Sequence, residues 1–103
     1  MDNILLLEAN TEHAAAIKKQ LQLHQYRVQV SAEIVQAEQL LQKIIPDMLI
    51  IDLNVHSEEF NRFYESLRID PQWEGIPRLF IAGKENEAIS RQLRDRFDET
   101  VLS

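Results

Sequence analysis

The sequence predicts an α/β fold: a parallel sheet covered by helices on both faces. Ile4-Leu5-Leu6-Leu7 and Met48-Leu49-Ile50-Ile51 are short, continuously apolar runs, the pattern of strands buried on both sides. The stretches between and beyond them place apolar residues at helical spacing. Strand and helix therefore alternate along the chain, which implies right-handed crossovers and parallel strands.

The elements follow in order. The first strand ends at Glu8. Asn10 or Thr11 offers a helix N-cap, with Ala14, Ile17 and Leu21 on one face behind it and His24 near the helix end. Arg27 to Ser31 alternates, Val28 and Val30 on one side, and reads as a strand nearer an edge. Ile34, Ala37, Leu40, Leu41 and Ile44 form a second helical stripe, stopped by Pro46. Met48 to Leu53 is the third strand and carries Asp52. Phe60, Phe63, Tyr64 and Leu67 mark a third helix ending near Asp70-Pro71, with Trp73 expected to pack against it from the following loop. Leu79-Phe80-Ile81 is a strand introduced by Ile76-Pro77. Ile89, Leu93 and Phe97 form a fourth helical stripe, and Thr100-Val101-Leu102 a last short strand.

A chain of 103 residues suits one small domain, spanning 1–103. It has no cysteine, so a disulfide, a thiolate nucleophile and a Cys-ligated zinc are excluded. No apolar stretch is long enough to span a membrane and the start does not read as a secretion leader, so the expectation is a cytoplasmic protein without membrane contact. The net charge of −6 argues against direct nucleic-acid binding, which rests on phosphate neutralisation by Lys and Arg. Lys84, Arg91, Arg94 and Arg96 are interleaved with Glu85, Glu87, Asp95 and Asp98, and read as a solvated, ion-paired helix face.

Asp52 stands out because a carboxylate closing a buried apolar run costs free energy unless it is paired or solvated. Functional groups of open parallel sheets collect beyond the carboxyl ends of the strands, where strand order switches. If the first and third strands are neighbours, Glu8 and Asp52 meet there, and their repulsion raises their pKa values without a cation. Mg²⁺ relieves this, because it needs only one or two carboxylates together with waters and phosphate oxygens. His13 and His56 are further ligand types that suit zinc, though solvated positions are the favoured reading for both.

"ILLLEAN", "PDMLIIDLNV" and "IPRLFIAGKEN" resemble, in order and spacing, the receiver domain of two-component response regulators. The resemblance runs from residue 3 to the end. It implies a three-layer, flavodoxin-like sandwich with strand order 2-1-3-4-5. It also implies that Asp52 is a phosphoacceptor served by a histidine kinase or other signalling protein, that Glu8, Asp52 and the backbone carbonyl of Asn54 hold Mg²⁺, and that the protein is a switch and not an enzyme.

The departures from that pattern matter as much. A second acid after strand one is replaced by Ala9. The hydroxyl residue closing strand four is Ala82, and the lysine after strand five falls near Ser103 or beyond it. A fifth helix would follow Ser103, so the expected fold is truncated after the fifth strand. Strands one and five are then expected to expose apolar side chains to a second copy of the chain or an adjoining domain. The reading is a phosphorelay receiver with a partly degenerate site; the alternative is a pseudo-receiver that signals through contacts without phosphorylation. A small enzyme or flavin carrier is disfavoured by the lack of a glycine- or hydroxyl-rich phosphate loop.

Overall fold

The computed structural model describes residues 2–55 and 58–102. Strands β1 (Asn3–Leu7), β2 (Arg27–Ser31), β3 (Met48–Asp52), β4 (Arg78–Ile81) and β5 (Val101–Leu102) alternate with helices α1 (Thr11–Leu23), α2 (Ile34–Lys43), α3 (Glu58–Ile69) and α4 (Glu87–Phe97). All strand pairs are parallel and the order across the sheet is β2-β1-β3-β4-β5. The three layers are α1, the sheet, and the group α2, α3 and α4.

Side-chain alternation explains the apolar runs. Leu5, Leu7, Leu49, Ile51 and Phe80 face α2, α3 and α4, and pack with Leu41, Phe60, Phe63, Leu67 and Leu93. Ile4, Leu6 and Ile50 face the opposite way, onto Ala14, Ile17 and Leu21 of α1. A strand buried on both faces has no polar position to spare, so β1 and β3 are apolar throughout. Edge strand β2 alternates because only one of its faces is covered. Trp73 packs into the larger core, as its loop position suggested.

Three expectations change. Ile44 is not part of the α2 stripe: it caps the helix in extended conformation and is 60% exposed. Leu53 leaves the sheet and starts a single 3-10 turn, Leu53–Val55. Strand β1 does not expose apolar side chains, since α1 covers Ile4 and Leu6 to 3% and 0% exposure. On that face Leu102 of β5 is exposed, at 52%.

A polar contact closes the far side of the larger core. Tyr64 donates to Glu99 Oε2 at 2.5 Å, and Arg78 Nε donates to the same oxygen at 2.8 Å. Tyr64 is stacked on Phe60 and meets Phe80 and Phe97 edge-on, so β4, α3 and α4 share one aromatic cluster. Among the described residues, no helix is long and apolar enough to cross a membrane.

Candidate functional site

The register of the sheet builds the site. Leu7 pairs with Ile51 across β1 and β3, so the next residues, Glu8 and Asp52, emerge side by side at the carboxyl ends. Both follow the parity of Leu6 and Ile50 and so lie on the α1 side of the sheet. Glu8 is held there by its own backbone, whose N–H donates to Ser31 of β2 at 2.9 Å. Asp52 is 4% exposed, and its Oδ1 accepts the N–H of Asn54 at 2.8 Å, which fixes the carboxylate against the turn.

Glu8 is more deeply buried than its strand-end position suggests, at 1% exposure. Its Oε2 accepts a long hydrogen bond from the Asn10 N–H at 3.5 Å, while its Oε1 is buried with no hydrogen-bond partner. Burial pushes the Glu8 carboxyl up to about 7, and the neighbouring Asp52 carboxylate adds to the rise. The Asn10 N–H and His13 pull the other way. Two acids therefore meet as expected. The unsatisfied Oε1 is the mark of a donor set that suits a cation, so the residues present fit the divalent ion that the resemblance implies.

His13 is the residue that sequence reasoning underrated. Asn10 caps α1 by accepting the His13 N–H on its Oδ1 at 3.0 Å, which puts His13 in the first turn. Helical side chains lean toward the N-terminus, so the imidazole hangs back over the strand ends. His13 Nδ1 lies 3.6 Å from Glu8 Oε1, and one ligand atom each from Glu8, His13 and Asp52 fall within 4.8 Å of one another. An Asn at the cap position followed by His three residues on was the available signal. His56 and Ser103 lie outside the described residues.

The rest of the rim is sparse. Ala82 is buried after β4, its N–H bound to Leu102 O at 2.8 Å, and its methyl group packs in the larger core. Asn86 was not foreseen. Its Oδ1 accepts the Gly83 N–H at 3.0 Å and its Nδ2 donates to Leu53 O at 3.4 Å, tying the loop after β4 to the turn that follows Asp52. Glu87 and Arg91 form the expected exposed i,i+4 pair at 3.0 Å.

No protein-family model and no curated protein matches the sequence. Solved structures do match. A response regulator from Desulfuromonas acetoxidans superposes with a TM-score of 0.82 at 19% identity, covering 100% of this chain and 83% of that one. The Vibrio cholerae chemotaxis protein CheY4 gives 0.77 at 21% identity, covering 100% and 85%. The Mn²⁺-bound form of response regulator Rcp1 gives 0.85 at 16% identity, covering 100% and 81%. With its parallel strand order β2-β1-β3-β4-β5 and the helices that alternate with the strands, this chain has the fold of the response-regulator receiver domain.

Proposed function

We propose that the chain is a receiver-type signalling module in which Asp52 accepts a phosphoryl group from a histidine kinase. The observation that carries the reading is the pairing of Asp52 with Glu8 at the strand ends, with Asp52 oriented by the Asn54 N–H. In the transfer, an Asp52 oxygen bonds to phosphorus as the nitrogen–phosphorus bond of a phosphohistidine breaks. The electron pair stays on the departing imidazole, which takes up a proton. Mg²⁺, when bound by Glu8, Asp52 and the Asn54 carbonyl, supplies neutralisation of the charge that gathers there. The chain works as a cytoplasmic switch rather than an enzyme, its partners a kinase or other signalling protein.

A second reading has support of its own. Asp52 is almost fully buried, Ala82 has no hydroxyl for a phosphoryl oxygen, and a second acid beside Glu8 is lacking. These favour a pseudo-receiver that signals through protein contacts. The two separate in one experiment: treatment with a small-molecule phosphodonor and Mg²⁺, read by intact mass. A gain of one phosphoryl group that Asp52→Asn abolishes supports the first reading. An unchanged mass leaves the second.

A further inference from the structure

We propose that His13 makes the strand-end site a mixed carboxylate–imidazole site, one that selects a zinc-like transition ion over Mg²⁺. The inference rests on the same acid pair as the reading above, and concerns which ion that pair takes. Three observations carry it: the third donor is a nitrogen, the geometry suits an ion, and a buried oxygen faces that nitrogen without a partner.

Mg²⁺ is a hard ion that takes oxygen ligands in near-octahedral geometry and gains little from imidazole. Zinc and its neighbours accept imidazole nitrogen and carboxylate oxygen together, and four-coordinate sites are their habit. Glu8, His13 and Asp52 offer two carboxylates and one imidazole, leaving a fourth position open to water or to a phosphoryl oxygen. This is a different donor set from the all-oxygen one that Glu8, Asp52 and a carbonyl would make.

The distances are compatible. The 3.6 Å between His13 Nδ1 and Glu8 Oε1 is what two ligands at roughly 2.1 Å from one ion show when they subtend about 120°. The three ligand atoms lie within 4.8 Å of one another, and since ligands about 2.1 Å from a tetrahedral ion stand roughly 3.4 Å apart, closing onto one ion takes a shift of up to roughly 1.4 Å. The His13 side chain, 65% exposed, has room to turn toward the acids, whereas Glu8 and Asp52 are buried at the strand ends. Glu8 Oε1 is the unpartnered atom, and it is the one that faces Nδ1. At 3.6 Å the two are too far apart for a good hydrogen bond, whereas an ion between them satisfies both.

The test is direct binding, with Mg²⁺, Zn²⁺ and Co²⁺ each titrated by calorimetry, and with Co²⁺ also followed by its visible absorption. His13→Ala is the informative variant, since the position is exposed and alanine is a good helix former. The expected result is a loss of Zn²⁺ and Co²⁺ affinity by about tenfold or more in His13→Ala, with Mg²⁺ affinity within about twofold of the parent. His13→Asp should strengthen Mg²⁺ and leave the transition ions weak. His24→Ala, at the far end of α1, controls for stray histidine binding and should change nothing. Equal losses for Mg²⁺ and Zn²⁺ in His13→Ala, or a Zn²⁺ loss matched by His24→Ala, would overturn the proposal. Mg²⁺-dependent phosphorylation of Asp52 with no effect of His13 on Zn²⁺ would sink this inference while leaving the receiver reading intact. Absence of any divalent binding would remove the metal from both.

Discussion

At Glu8 a carboxylate sits beside Asp52 with one oxygen unsatisfied, and the folded protein holds its proton more tightly than the unfolded chain does. Its pKa rises from 4.5 to about 7, so between these values the unfolded state gives up protons first and stability falls as pH rises. Above pH 7 the full penalty is present. Glu8→Gln removes the charge at nearly constant shape. In chelator it should therefore be more stable than the parent at about pH 8, by roughly 1–3 kcal/mol, with little difference near pH 4. Urea unfolding at the two pH values decides it, and equal stabilities at pH 8 would remove the unpaired charge from the account. The same variant should lose divalent-ion affinity. On the opposite side of the core, Glu99→Gln should cost more than Tyr64→Phe in thermal unfolding. The first leaves the Arg78 charge, 14% exposed, without a counter-ion, whereas the second removes a single hydrogen bond worth about 1–2 kcal/mol.

Helix α1 does two jobs through one cap. Asn10 stabilises its first turn and thereby holds His13 over Glu8. Asn10→Ala should cost about 1 kcal/mol of stability and loosen His13, which shows as a shifted imidazole signal in NMR spectra. Phosphorylation at Asp52 should move the loop and helix at 82–97 only slightly. A switch needs a group that contacts its two states differently, and Ala82 has no hydroxyl to do so. Large amide shifts in α4 on phosphodonor treatment would contradict this. Elements such as β1, β3 and α3 were legible because burial on both faces, or on one stripe, dictates an unbroken pattern. The α2 boundary was misjudged because Ile44 continues the spacing while its backbone has already turned extended ahead of Pro46. Glu8 and Asp52 were legible from strand ends and spacing. The approach of His13 was not, because it depends on the angle at which α1 leaves β1, and that angle is a property of packing.

Across the whole molecule the two faces of the sheet are unequally covered. Among the described residues, α2, α3 and α4 lie on one side and α1 on the other, packed on β1. Leu102 of β5 stands 52% exposed beyond the reach of α1, on an edge strand with unpaired backbone groups. Apolar surface at a free sheet edge favours association. The apparent mass by light scattering should therefore rise with concentration, and Leu102→Glu should hold it at the monomer value. A parent chain that stays monomeric at every concentration would reject the idea.

The shortness of β5 has a kinetic consequence. It contributes two register pairs, Phe80 with Val101 and Ile81 with Leu102, where β1 is bracketed by five pairs on one side and four on the other. Amides that depend on β5, such as those of Phe80 and Ala82, which donate to Thr100 and Leu102, are released whenever that strand peels away. Peeling breaks few bonds and needs only a sub-global opening. Native-state hydrogen exchange should then show protection graded across the sheet. The Phe80 and Ala82 amides should exchange orders of magnitude faster than those in β1, and should slow if a partner settles against the β5 edge.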